Sequence, residues 1–331
     1  MTTMTQAPPT AGADVRRFVA TPVRPSSPVG GTQRRKRLDP ARGGRRARML
    51  FLLPAGLFLA VFSIYPLIQL CRMAVSDVTP ATLGAAWKLV GFANVVKGWV
   101  SGATPQAIIR TLIFVVIVTI LGMGIGFAGA VALRTKGRWS SILLALMVFV
   151  WALPPVVNGS VWKFLLGENG LFNGIIMGLH LADRPVPFLF DPSVALISVA
   201  LVNSFAVIPF NALVYRAAMM NIDPEVFEAA QIDGANRWQE VRHILSPMAR
   251  PTSLVLLVLT LVYGFRSFDY IYVMTAGGPG TATNTLPFLG YMQAFVRYDY
   301  GLGAATSVLT LLGVLVLAVV YTRSIRKEEG E

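Results

Sequence analysis

The chain has 331 residues, of which 54% are hydrophobic and only 14% charged, with a formal net charge of +13. A soluble protein of this length carries about a quarter charged residues, so the composition excludes an ordinary soluble domain and points to an integral membrane protein. The basic excess gathers beside apolar runs and offers no base-stacking platform, which excludes nucleic acid as a partner.

Residues 1–48 are rich in Pro, Thr, Ser, Gly and Arg and lack apolar periodicity. They read as a disordered basic cytoplasmic tail, drawn to membrane lipid through Arg34, Arg35, Lys36, Arg37, Arg42, Arg45, Arg46 and Arg48. Met49 to Leu70 exceeds the apolar core of about 7–15 residues that a signal peptide carries, and it runs into Tyr65-Pro66 instead of a small-residue cleavage site. It is predicted to be a retained first span. Cys71 is the single cysteine, so no disulfide forms within the chain, and it reads as an apolar residue at a helix end.

A bilayer core of about 30 Å needs roughly 20 apolar residues in a helix. Five further runs meet that length: Ile109–Leu133, Ser140–Trp162, Ser193–Tyr215, Thr252–Met274 and Gly303–Tyr321. The expected fold is an all-α integral membrane protein, with about six transmembrane helices over residues 49–325 and a cytoplasmic C-terminal tail at 326–331. With both termini inside, 21 of the 29 Lys and Arg fall on the cytoplasmic side. That topology is self-consistent.

Gly124-Ile-Gly126-Phe-Ala-Gly129 matches the dinucleotide fingerprint formally, but the fingerprint needs a preceding strand and a βαβ unit. Gly122 and Gly126 are read instead as a small-residue face for close helix approach. No Walker A sequence or zinc-protease helix occurs. His180 and His243 are the only histidines and read as polar loop residues. No catalytic or metal-binding residue is assigned.

The inner loop 216–251 is the most informative segment. Asp223 is a good N-cap, Pro224 suits the first helical position, and Glu225 favours the positive end of the helix dipole. The pattern predicts a short helix to about Asp233 and a sharp turn at Gly234. A second short helix then aligns Trp238, Val241 and Leu245 before Pro247 and Pro251 end it. Ala229 and Ala230 permit close approach, and Glu228 offers an acid to basic groups. A docking knob for another protein and an interfacial linker between two spans fit these residues equally.

Glu228-Ala229-Ala230, three residues, Gly234, nine residues, Ile244 and then Pro247 resembles the EAA loop of ABC importer permeases. Asp233-Gly234-Ala235 agrees with its commoner form, while Ser246 stands where Leu is usual. The resemblance implies a coupling helix between helices four and five, seated in a cytoplasmic ATPase, with Glu228, Ala229, Ala230, Asp233 and Gly234 as coupling residues. A second stretch, Phe268-Asp269-Tyr-Ile-Tyr-Val-Met-Thr275-Ala-Gly277-Gly278-Pro279 followed by Thr283, is similar to the segment after the fifth span in maltose- and glycerol-phosphate-type permeases. The likeness covers roughly residues 50–325. It implies carbohydrate uptake across a bacterial inner membrane, a second similar permease subunit, two ATPase subunits carrying the ATP and Mg, and an extracytoplasmic solute-binding protein. It implies no cofactor and no chemistry in this chain.

Thr260, Tyr263, Gly264 and Ser267 fall on one face of the expected fifth helix, and Asn203, Val207 and Phe210 form a comparable stripe on the fourth, with Asn211 adjacent. Hydroxyls and aromatic rings beside small residues suit a sugar, and by the resemblance these helices flank the solute. The same residues also suit interhelical contacts. Arg266 and Asp269 are spaced to pair, as part of a solute path or as a structural ion pair near the outer interface. The outer loops 163–192 and 275–302 and their flanks, with Trp162, Phe164, Asn169, Asn173, Gly277 and Gly278, are expected to face the binding protein.

The alternative is a secondary, ion-coupled transporter. It needs coupling carboxylates within spans or internal repeats, and Asp269 beside Arg266 is poor support. An intramembrane enzyme needs a nucleophile–base pair or metal ligands at membrane depth, and a channel needs a charged ring or filter-like repeat. Neither pattern is present.

Overall fold

The computed structural model of the chain describes residues 51–135 and 137–328. The expected basic tail at 1–48 and residues 329–331 of the expected C-terminal tail lie outside them. Residues Phe58–Glu331 form one unit; of the other, Met1–Leu57, only residues 51–57 are described, and they are helical. Among the described residues four helices are long and apolar enough to cross a bilayer, and two bent pairs bring the number to as many as six.

The first crossing helix, α1, is Phe51–Ala74, widened to a π turn at Ala60–Ile64 just before Pro66. A proline ring clashes with the carbonyl four residues back, and a π turn relieves that clash. Near its end Leu70, Met73 and Ala74 pack on Ala304 and Ala305. A two-residue antiparallel ladder, Ser76–Asp77 with Lys88–Leu89, and a short helix α2, Ala93–Val100, follow.

Helices α3, Ala103–Ala132, and α7, Ala195–Met220, form the spine. On α3, Ala107, Thr111, Phe114, Val118, Gly122 and Gly126 recur every three or four residues and are buried. Ile109, Leu112, Ile113, Val116 and Ile120 repeat on the opposite face and are exposed, as a lipid-facing surface requires. A Cβ at Gly126 would stand 2.7 Å from Asn211 Cβ and 3.2 Å from the Ala212 backbone nitrogen, so only glycine allows this approach. The small-residue reading of this run holds.

Two expected spans are broken. The third is not continuous over Ser140–Trp162: α4, Arg138–Ala152, and α5, Pro155–Leu165, meet at 102°. Pro154 forces Leu153 to an extended ψ of 132°, and Pro155 begins the next helix. The fifth is not continuous over Thr252–Met274 either. Helix α10, Arg250–Phe265, stops before Arg266, and the separate α11, Asp269–Met274, follows. Pro247 does not end the preceding helix; it lies inside α9, Arg237–Met248, directly after a π turn at Val241–Leu245. The 68° bend to α10 comes at Ala249, before Pro251.

The remaining elements are α6, Leu171–Gly178; α8, Pro224–Ile232; α12, Leu286–Val296; and α13, Tyr300–Glu328. Thr111 on α3 donates to Ala107 O at 2.7 Å and accepts from Leu286 N at 2.8 Å, satisfying an orphan N–H at the start of α12. The ion pairs among the described residues mark the two ends of the bundle. Lys97–Asp299, at 2.7 Å, joins the two segments expected outside, and Arg134–Glu240, at 3.1 Å, joins the two expected inside. Arg266 and Asp269 form no ion pair among the described residues, because the break after Phe265 removes the helical spacing.

Candidate functional site

The loop helix α8 is built as its residues dictate. Asp223 accepts from Glu225 N at 3.1 Å, and Pro224 occupies the first turn. At the other end Gly234 takes φ +77°, Gly234 N donates to Gln231 O at 3.1 Å, and Ala235 N donates to Ala230 O at 2.9 Å. That is the Schellman pattern, whose left-handed residue is best supplied by glycine. Asn236 then opens α9 with a capping box: its side chain accepts from Gln239 N at 2.9 Å, and Gln239 returns the bond at 2.8 Å. The spacing Asn-x-x-Gln carries that signal in the sequence.

Glu228, Ala229, Asp233 and Gly234 are exposed, Ala230 is half-buried, and α8 buries no residue completely. Ile232, beside them, is 86% exposed. An apolar residue so open on a polar loop is the further functional candidate that the motif alone did not single out. The expected stripe on α9 forms only in part: Leu245 is buried and Val241 half-buried, but Trp238 is 70% exposed.

A half-open cavity of ≈ 370 Å³ lies at the break between α4 and α5. Of the expected pathway residues, Val207 and Phe210 on α7 and Thr260 and Tyr263 on α10 line it. Asn203, Gly264 and Ser267 do not. Asn203 Nδ2 donates to Ser267 Oγ at 2.9 Å, a buried tie between α7 and the turn beyond α10. Gly264 packs on Val115. Ser267 leaves the expected face because α10 has already ended.

Trp151, Leu153, Pro155 and Tyr270 complete much of the wall and were not foreseen. The Pro154-Pro155 pair signalled an interruption, but not that the bend would set Trp151, still half exposed, in the pocket wall. Trp151 stacks on Phe210 with centroids 5.8 Å apart, and Asn158 Nδ2 donates to the Tyr270 hydroxyl at 3.3 Å. The cavity thus presents aromatic faces with a few hydroxyls, a surface that takes both C–H and O–H edges.

Among the outer residues, Asn173 is fully buried and serves its own loop. It donates to Gly167 O and Val186 O, both at 3.0 Å, and accepts from Val186 N at 2.8 Å. Gly277 is buried too, at φ +84°, against Asn284 and Phe288. Within the loops expected to face the binding protein, these two residues serve the loops' own structure. Among the described residues no three of His, Cys, Asp and Glu are grouped to hold a metal.

Residues 120–329 match the family described as binding-protein-dependent transport system inner membrane component. The trehalose/maltose transport system permease of Thermococcus litoralis is 34% identical over 61% of this chain and 67% of its own length. The diacetylchitobiose uptake permease of Streptomyces coelicolor is 28% identical over 100% of this chain and 99% of its own. A solved bacterial ABC transporter that imports the polysaccharide alginate superposes with a TM-score of 0.74 at 24% identity, covering 86% of this chain and 96% of that one, which shows a shared fold.

Proposed function

We infer the working of this subunit from one premise: the chain belongs to the family of binding-protein-dependent transport system inner membrane components, the permeases of ATP-driven importers. It is a multi-pass membrane protein that performs no chemistry of its own. Membership brings a second permease subunit, ATPase subunits and a solute-binding protein, and it sets aside the ion-coupled alternative.

The solute we propose is a sugar or short oligosaccharide. The cavity with Trp151, Phe210 and Tyr263 in its wall carries this reading, since aromatic rings cover the C–H faces of a pyranose while Thr260 and Tyr263 offer hydroxyls. Relatives that take up trehalose, maltose and diacetylchitobiose support it. The cavity sits where broken helices meet, and irregular backbone at membrane depth belongs where it lines a path.

Helix α8 would be the coupling helix, with Glu228, Ala229, Ala230, Asp233 and Gly234 meeting a cleft of the ATPase. Its exposure and its position beside the α3–α4 turn at one end of the bundle support that role. That end would be cytoplasmic with both termini, as the positive-inside count requires. The end holding Lys97 and Asp299 would meet the binding protein.

Reconstitution tests the reading. The importer, assembled with its ATPase and binding protein in liposomes, should accumulate a labelled disaccharide such as maltose, trehalose or diacetylchitobiose only with ATP. Uptake driven by an ion gradient without ATP would contradict it, and ATP-driven uptake of amino acids alone would overturn the sugar assignment.

A further inference from the structure

We infer that Arg134, in the turn between α3 and α4, is the positioning residue that ties movement of the coupling loop to the α3–α7 spine, an inference resting on α8 as the ATPase-docking helix. Arg134 Nη2 donates to Glu240 Oε2 at 3.1 Å, and its guanidinium carbon lies 4.4 Å from the centre of the Phe227 ring. Phe227 belongs to α8 and Glu240 to α9, so one side chain grips both limbs of the helix–turn–helix.

The preceding residue extends the junction. Leu133 O accepts from Arg216 Nε at 2.8 Å and from Ser140 Oγ at 3.0 Å. Arg216 lies near the inner end of α7 and Ser140 in the first turn of α4. Two consecutive residues therefore join the ends of α3, α4 and α7 to both parts of the loop. Helix α8 buries no residue completely, and Phe227, the ring under Arg134, is also the side chain by which it packs on the apolar cluster of Ala130, Tyr215, Met219 and Leu245.

Positive-inside topology needs only a charge in this turn, and Lys would supply it. The geometry needs arginine: a planar group that faces a ring and donates to a carboxylate at once. Glu240 is only 9% exposed at its side chain and Arg134 28%, so salt screens the pair less than a surface contact. A cavity of ≈ 360 Å³ adjoins the pair, and Gln231 and Arg237 line it as well. Alternative partners for both charges thus lie beside them, as a two-position contact requires.

The test is hydrogen exchange on the complete importer, with and without ATP plus vanadate, which needs no solute. In the native complex, nucleotide trapping should alter exchange both in the loop, 224–245, and in the distal segment 266–285. Arg134→Gln and Glu240→Gln should keep the ATPase bound but cut the distal response at least fivefold. Arg134→Glu combined with Glu240→Arg should restore at least half of it, a rescue that loss of bulk or packing would not give. Arg134→Lys replaces the Gln variant if that one does not fold, and it should give an intermediate response. A native distal response in either single variant overturns the inference, as does failure of the exchanged pair to restore it while ATPase remains bound. If the native permease binds no ATPase, the reading of α8 fails first and this inference falls with it.

Discussion

Asn211 on α7 and Thr260 on α10 face each other with amide and hydroxyl 3.3 Å apart, both buried. Thr260 lines the cavity, while Asn211 stands behind it against Gly122 and Gly126. One contact therefore joins the cavity wall to the packing of the spine. Thr260→Val keeps the shape and removes the hydroxyl. Because Thr260→Val leaves the buried Asn211 amide unpaired, it should cost the subunit about 1–3 kcal/mol of stability, while the KM for uptake rises about three- to fivefold. Unchanged uptake kinetics would remove Thr260 from the solute path.

Tyr263 and Ser267 looked equivalent on a helical wheel, and the structure separates them. Tyr263 lines the cavity; Ser267 accepts from Asn203 Nδ2, and Asn203 Oδ1 has no partner among the described residues. Tyr263→Ala should therefore raise the KM about tenfold or more, equivalent to ~1.4 kcal/mol. Ser267→Ala should instead lower the thermal stability of the purified subunit, by about 1–3 kcal/mol for a buried amide left unpaired, with the KM moving less than about twofold. Equal effects of the two on KM would mean that the break after Phe265 does not matter to the solute.

The close approach of α3 to α7 predicts a contrast between neighbouring glycines. A Cβ at Gly126 meets Asn211 Cβ at 2.7 Å, whereas one at Gly124 meets nothing within 4 Å. Gly126→Val should destabilise the subunit by about 1–3 kcal/mol through overpacking and lower its yield from membranes. Gly124→Ala should be neutral in the same thermal-shift measurement.

Much of this was legible in the sequence, and the failures share one cause. Hydropathy located the four long apolar helices and the two bent pairs, and the face of α3 bearing Gly122 and Gly126 followed from spacing, because a membrane helix reports its length and its small residues directly. Asp223, Pro224 and Gly234 announced both ends of α8, since caps are local chemistry. What hydropathy could not report was where a run of apolar residues bends. The 102° turn at Pro154 and the stop after Phe265 leave hydropathy unchanged but redirect side chains. Hence Trp151 and Tyr270 entered the cavity unforeseen, and Ser267 left it. Arg134 was visible only as one of a basic cluster, because its partners Phe227 and Glu240 are about a hundred residues away in the chain.

The exposed Ile232 gives a direct check on α8 as a docking surface. At 86% exposure it makes little contribution to this subunit's own stability. Ile232→Glu should leave expression and pairing with the second permease unchanged and reduce bound ATPase about tenfold in detergent. Full retention of ATPase would shift the docking surface away from this end of α8.

The most direct measurement is affinity co-purification of the tagged chain in mild detergent, native against Gly234→Asp. A Cβ at Gly234 meets no atom of this subunit within 4 Å, so within the subunit the change brings chiefly the strain of its φ of +77°, on an exposed turn that the coupling role would present to the ATPase. The account predicts that an ATPase and a second permease accompany the native chain, and that the variant, eluting with the native size-exclusion profile, keeps the permease and loses the ATPase. A variant that retains its ATPase, or a native chain that never binds one, would contradict the coupling role on which the account is built.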